Sequence, residues 1–255
     1  MSKIQAFLIH LSISATVVGF VCALIFFVWY PQPYFEIVGA GAVLKVLIGV
    51  DLVVGPLMTL ILYRHGKPGL VFDLSVIAVI QLAALLYGTT VIYRERPYYV
   101  VFAIDRFEVL ARTEIDPHAI RIDALRKKPF IGPILAVALM PENEKERQQL
   151  LDDVFAGKPD LERRPEYWDV YGKHTADIIE RATPLAKMAK ERPDARDRIN
   201  AFIRSRTDGD DLIGLPVIGK KNTLFFVLDK MTRLPVGVID FDPWEVPGPA
   251  TSRSD

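Results

Sequence analysis

The chain has 255 residues, 51% of them hydrophobic, and its 31 basic and 31 acidic side chains cancel to a formal net charge of zero. That balance excludes the basic footprint on which nucleic-acid binding depends, and one cysteine excludes an intrachain disulfide framework. It also hides an asymmetry: residues 1–96 hold six Lys/Arg and four Asp/Glu, whereas residues 97–255 hold 25 and 27.

Three apolar runs fill the lightly charged third: Ile4–Tyr30, Ile37–Tyr63 and Leu70–Tyr93. About 20 apolar residues cross a bilayer as a helix, so each run is long enough to span. The first run is too long for a signal-peptide core and ends in Trp29-Tyr30-Pro31, an interfacial aromatic edge, so it is expected to stay attached. Cys22 lies inside it after Val21, which is not the small residue a lipidation site wants, so it reads as a plain thiol. The loop Pro31–Glu36 has no Lys or Arg, whereas Arg64–Gly69 has Arg64, His65 and Lys67. The positive-inside bias then puts the N-terminus and the second loop in the cytoplasm and residues 97–255 in the periplasm. Arg94, Arg96 and Arg106 run against that orientation, because they follow the third span closely.

Ionisable and polar groups interrupt the spans: His10, Lys45, Asp51, Asp73 and Gln81. Such groups are costly in hydrocarbon and face a protein interior or mark a functional site. With 1.5 Å of rise per residue, His10 and Asp73 fall in the cytoplasmic half, Lys45 in the outer half, and Asp51 and Gln81 near the midplane. An Asp51–Gln81 hydrogen bond satisfies both most simply. Lys45 reads alternatively as a snorkelling residue if span two begins near Gly41, Asp73 as an interfacial residue, and His10 as an imidazole bonded to a neighbouring helix. Asp51 stands five residues before Pro56, which removes the donor for the Leu52 carbonyl and kinks the helix, giving a packing centre or a notch for a partner. Gly39, Gly41, Gly49 and Gly55 allow close helix approach. A second half that a transporter would alternate against is not visible.

Past the membrane, 98–110 (YYVVFAIDRFEVL) reads as one strand and Ile134–Met140 as another. Glu142–Phe155 reads as a helix, Ala176–Glu191 as a second with Thr175 as N-cap and a bend at Pro184, and Ala195–Ser205 as a third capped by Asp194. Strands Ile213–Ile218, Thr223–Asp229 and Val236–Phe241 close the domain. Strands at both ends with helices between them predict an α+β domain with a mostly antiparallel sheet. The expected organisation is a three-span transmembrane domain at 1–96, a periplasmic domain at 97–244 and a disordered tail at 245–255.

Chemistry-bearing motifs are sparse. There is no GxSxG, HExxH, Walker loop or CxxC. His118 and His174 lack neighbouring ligands. Asp240-Phe241-Asp242 places two carboxylates on one strand face, which reads either as a metal-binding DxD or as a turn before Pro243. Asp105-Arg106 reads as an ion pair at a sheet edge, Lys220-Lys221 as a solvated turn, and Glu142–Asp153 as an exposed helix face.

Several of these segments together resemble a known family: Lys3 to His10 (KIQAFLIH), Val28-Trp29-Tyr30-Pro31, Gly49-Val50-Asp51 with Gly55-Pro56, and Phe72-Asp73-Leu74 with Gln81-Leu82 and Tyr87-Gly88. Arg96-Pro97, Val101-Phe102-Ala103, Asp105-Arg106-Phe107 and the closing Asp240-Phe241-Asp242-Pro243-Trp244 extend the likeness. The chain resembles the type IV pilin accessory proteins of the TfpX/TfpZ type. The resemblance implies a bacterial inner-membrane protein that modulates pilin handling or pilus assembly by protein contact, with a pilin subunit and the lipid bilayer as partners. It implies no cofactor, metal or catalytic set, and leaves the oligomeric state open. Under it, His10, Asp51 and Asp73 are candidate partner-binding residues, and Lys45, Gln81 and Pro56 candidate packing residues. Rival readings are an enzyme modifying pilin or envelope glycans, with Asp240 and Asp242 holding a metal, and a periplasmic sensor or anchor.

Overall fold

The computed structural model describes residues 2–206 and 211–245, so the predicted tail lies outside the described residues apart from Glu245. The chain divides into two units, one made of Met1–Pro31 and Ala40–Arg96, the other of Gln32–Gly39 and Pro97–Asp255.

In the first unit three helices are long and apolar enough to cross a membrane: Lys3–Trp29, Gly41–Leu62 and Leu70–Arg94. Span one is α1 (Lys3–Leu24), which continues as a π turn over Ile25–Trp29. A capping box opens it. Ser2 Oγ accepts from the Gln5 amide at 3.2 Å, and the Gln5 side chain accepts from the Ser2 amide at 2.7 Å. Span two is α3 (Gly41–Gly49), a π turn at Val50–Val54, then α4 (Gly55–Leu62); span three is α5 (Leu70–Arg94). The expected kink is thus a widened turn just ahead of Pro56, which takes a first-turn position of α4 where its missing N–H costs least. Span two packs against both of the others. Aromatic groups close one end: Tyr30 donates to the Ile92 carbonyl at 2.7 Å and Trp29 meets Tyr93 edge-on at 5.0 Å. Arg96 folds back there, donating to the Tyr93 carbonyl at 2.6 Å with its guanidinium 3.7 Å from the Tyr93 ring centroid.

The second unit is an α/β domain built on an eight-stranded sheet. The strands are β1 (Tyr99–Ala103), β2 (Arg106–Leu110), β3 (Ile134–Ala138), β4 (Trp168–Val170), β5 (Thr183–Pro184), β6 (Leu212–Ile218), β7 (Thr223–Asp229) and β8 (Pro235–Ile239). Their order is β4-β3-β1-β2-β6-β7-β8, with β5 also on β6. The sheet is mixed, which corrects the mostly antiparallel expectation: β1 and β3 run parallel, as do β2 and β6. The cause is the central placement of the β1–β2 hairpin. Strands returning after long excursions add to its two flanks, and a crossover connection permits the parallel sense.

Several further expectations change. The single strand over 98–110 is a hairpin that turns at Ile104-Asp105, with Ala103 opposite Arg106. Ile104 takes φ 58°, a left-handed value that β-branched residues rarely adopt. The long helix over 176–191 is broken into α7 (Thr175–Arg181), β5 and α8 (Leu185–Glu191), because Pro184 has no amide to continue the helical ladder. Thr175 begins α7 rather than capping it. Asp194 pairs with Arg192 at 2.8 Å instead of capping α9 (Arg196–Arg204), whose N-cap is Ala195. Helix α6 (Glu144–Phe155) keeps acids in its first turn but starts two residues later than expected, because Asn143 caps it, its Oδ1 accepting from the Lys145 and Glu146 amides.

Alternation along the strands makes two packed faces. On one, Tyr99, Val101, Ala103 and Leu110 bury against Leu125, Leu150 and Trp168, and Phe225 and Val227 bury against Leu185 and Ile199 of α8 and α9. On the other, Phe107 meets Phe102 at 5.1 Å and Phe226 at 5.2 Å. Helix α2 (Tyr34–Val38) covers part of that face: Tyr34 stacks at 6.2 Å from Phe226, and Ile37 is 1% exposed. Hydropathy assigned Ile37 and Val38 to span two. They are apolar because they complete the head's core.

Candidate functional site

The membrane unit holds a groove of about 190 Å³ between spans one and three, with Asp51 of span two in its lining. His10, Ser14, Val17 and Val18 line one wall, and Ala78, Gln81, Leu82 and Leu85 the other. It is an apolar slot with a polar floor. Asp51 is 5% and Gln81 9% exposed. Gln81 meets Asp51 as expected: its side chain reaches the Asp51 carboxyl, and Nε2 also points to the Asp51 backbone carbonyl at 3.4 Å, long for a hydrogen bond. Asp51 Oδ2 and Gln81 Oε1 are buried and have no hydrogen-bond partner. Two buried acceptors without donors cost free energy that a donor from outside would recover. Gly55 makes this approach possible, because a Cβ there would stand 1.9 Å from Gln81 Nε2.

The other intramembrane groups divide. His10 reaches the groove and bonds through Nδ1 to Thr59 Oγ1 of α4 at 2.6 Å, a helix-to-helix bond as one of the two sequence readings held. Asp73 is outside the groove lining and pairs with Lys67 at 2.5 Å, across the entry to span three. Lys45 is on the second turn of span two and exposed, where its stem can carry the ammonium to the interface. Thr59 drew no attention in the sequence, because a hydroxyl within an apolar run carries no signal until the facing helix is placed; Gly55 was legible as a site of close helix approach, but not which side chain it admits.

In the head, Glu108 of β2 is 5% exposed and Glu162 7%. Burial, then a hydrogen bond shared with the Glu162 carboxyl, push the Glu108 carboxyl up to about 8, with the Arg163 guanidinium opposing. Arg163 bonds Glu108 and approaches Glu114 at 3.8 Å, and Lys220 stands 3.9 Å from Glu114. Arg106 faces Asp105 at 3.3 Å and Glu162 at 3.7 Å. The Asp105–Arg106 pair is therefore part of a larger cluster and belongs to an interior strand, not to a sheet edge. Lys220 and Lys221 are exposed in the β6–β7 connection, as the solvated-turn reading had it, and the Lys220 ammonium reaches toward that cluster. Strand alternation hinted at this, since Glu108 shares its face with the buried Leu110.

Of the DxD carboxylates, that of Asp242 is used locally. Asp242 Oδ1 accepts from the Trp244 amide at 2.9 Å, while the backbone carbonyls of Asp240 and Asp242 accept from Arg198 and Arg192. Asp169 is held near 2, first by His174 at 3.0 Å and then by Lys173. Among the described residues no group of three or more His, Cys, Asp or Glu is arranged to hold a metal ion.

The model of the fimbrial assembly protein FimB family matches residues 1–39. Over 248 residues the chain is 32% identical to the fimbrial assembly protein of serogroup I from Dichelobacter nodosus, covering 93% of this chain and 95% of the relative. The serogroup E1 protein of the same organism matches at 32% over the same shares, and the serogroups C1 and C2 protein at 41% over 109 residues, 42% of this chain and 83% of that relative. No solved structure matches. With two relatives aligned along nearly their full length, the chain belongs to the fimbrial assembly protein family, a type IV pilus accessory family.

Proposed function

We propose that this protein serves type IV pilus biogenesis from the bacterial inner membrane as a non-catalytic accessory, and that its intramembrane groove receives the apolar helix of a pilin subunit. The observation that carries the docking reading is the pair of unpartnered acceptors, Asp51 Oδ2 and Gln81 Oε1, at the floor of an apolar slot. A partner helix that presents a donor at that depth gains a hydrogen bond where water cannot compete. His10, at the cytoplasmic end of the same slot, adds a second polar contact; Asp73, engaged by Lys67, has no part in it.

A multi-pass topology with the N-terminus in the cytoplasm and the head in the periplasm fits both charge and packing. Gln32–Gly39 and the residues from Pro97 onward pack in one unit, which supports a topology with the first loop and the head on one side of the bilayer. Crossing by spans two and three brings the chain back to that side, and the basic loop with Arg64 and Lys67 falls on the other.

Pilin co-purification from native membranes tests the docking role. Asp51→Leu and His10→Leu together should lower pilin recovery while the protein still accumulates and resists urea as the parent does. Undiminished recovery with such a variant would reject it. An Asp242→Asn variant should assemble pili normally, whereas loss of pili with an intact fold would favour a metal-dependent enzyme.

A further inference from the structure

A loop of the head carries the most exposed phenylalanine outside α6 and the spans: Phe130 is 82% exposed, and its neighbour Ile131 56%. Lys127 and Lys128 precede them, and no secondary structure covers residues 127–133. A solvent-exposed Phe-Ile pair beside two lysines is an unfavourable surface for water alone.

The feet of this loop are fixed at one place. Ile134 donates its amide to the Tyr98 carbonyl at 2.9 Å, and the Leu125 carbonyl faces the Tyr99 hydroxyl at 3.4 Å. Arg126 is tied to the Ile120 carbonyl at 2.6 Å. Both ends of the loop therefore stand beside Tyr98-Tyr99, the first residues of β1 and its approach. Tyr98 is two residues beyond Arg96 in sequence, and span three ends at Arg94. Four residues reach at most roughly 14 Å, so Phe130 is held within that distance of Ile134, and Tyr98 within about 7 Å of Arg96. Cations gather at the same point: the Arg112 guanidinium is 5.5 Å and the Lys128 ammonium 5.8 Å from the Tyr98 ring centroid.

We propose that the Lys127–Ile131 loop is a lipid-binding tip. Phe130 and Ile131 enter the boundary between headgroups and acyl chains, and Lys127, Lys128 and Arg112 meet anionic headgroups. Aromatic and aliphatic side chains framed by lysines suit that zone, where each apolar ring leaves water and each ammonium keeps it. The occupant is lipid rather than protein because the chain itself leaves the bilayer a few residues from the loop's feet, and because the charge is of the sign that phospholipid attracts. The tip would fix the head against the membrane surface through a second attachment besides the span-three linker.

The full-length protein in lipid vesicles provides the test. In a Cys22→Ala background, Phe130→Cys carries an environment-sensitive NBD label, and Lys187→Cys on exposed α8 serves as the water-exposed reference. In vesicles of lipid alone, the label at 130 should emit blue-shifted relative to the one at 187 and lose intensity when spin-labelled lipids are included, more so with anionic lipid present. An emission at 130 matching the reference and untouched by spin-labelled lipid would overturn the proposal. So would shielding that arises only after pilin is added, which would assign this surface to a protein.

Discussion

Replacing Glu108 by Gln gives the sharpest reading of the head's interior. The folded protein holds the Glu108 proton up to about pH 8, whereas in the unfolded chain the carboxyl loses it near 4.5. Between those values the native state binds a proton that the unfolded state has released. Stability is therefore fully present below about 4.5 and is lost as pH rises through 8, by at most about 1.4 kcal/mol per pH unit for one proton. Across the window that amounts to a few kcal/mol, a large part of a domain's typical stability of about 5–15 kcal/mol. Gln keeps the shape and the neutral state at every pH. Glu108→Gln should thus flatten the decline and leave the variant more stable than the parent at pH 8, with little difference at pH 5. Urea unfolding of the full-length protein in detergent, followed by Trp168 fluorescence, is the assay. Trp168 is 3% exposed and donates to the Glu162 carbonyl at 3.2 Å, so it reports on this cluster. A parental stability that rises from pH 5 to pH 8, or an identical slope in the variant, would refute the argument.

Gly219→Ala should loosen α2 from the head, because the new Cβ would lie 1.9 Å from the Ile37 carbonyl oxygen, a backbone atom with no free rotation. Overpacking of this kind costs about 1–3 kcal/mol or more; an unchanged urea midpoint would show that the contact yields freely. Ile104→Asn should stabilise the head by roughly 0.5–1 kcal/mol, since Asn accepts left-handed backbone that costs a β-branched residue about 1–2 kcal/mol, and the 48% exposed Ile104 side chain gives up little burial. A lowered melting temperature would contradict it.

Sequence alone determined that three helices are long and apolar enough to cross a membrane, that α6 ends at Phe155, and that β7 covers Thr223–Asp229, because each follows from local hydropathy, helix-stop signals or strand pattern. The family motifs were equally legible, since they are contiguous residues. Pro184 was visible but read too gently: a proline in a helical pattern can bend a helix or end it, and here a strand pairing with Gly214 and Ile213 of β6 decides for ending. The turn at Ile104-Asp105 has no glycine or asparagine to announce it, so 98–110 looked continuous. Parallel pairing of β1 with β3 and β2 with β6 could not be read at all, because strand neighbours are set by excursions of many residues. Only tertiary structure showed that Ile37 and Val38 are apolar for the head's core and not for lipid. Helix depth had already put Asp51 beside Gln81; only tertiary structure added His10 to their groove while leaving Asp73 with Lys67. Hydropathy measures how much a residue avoids water. Which neighbour replaces that water depends on chain segments far apart in sequence, and those meet only in the folded molecule.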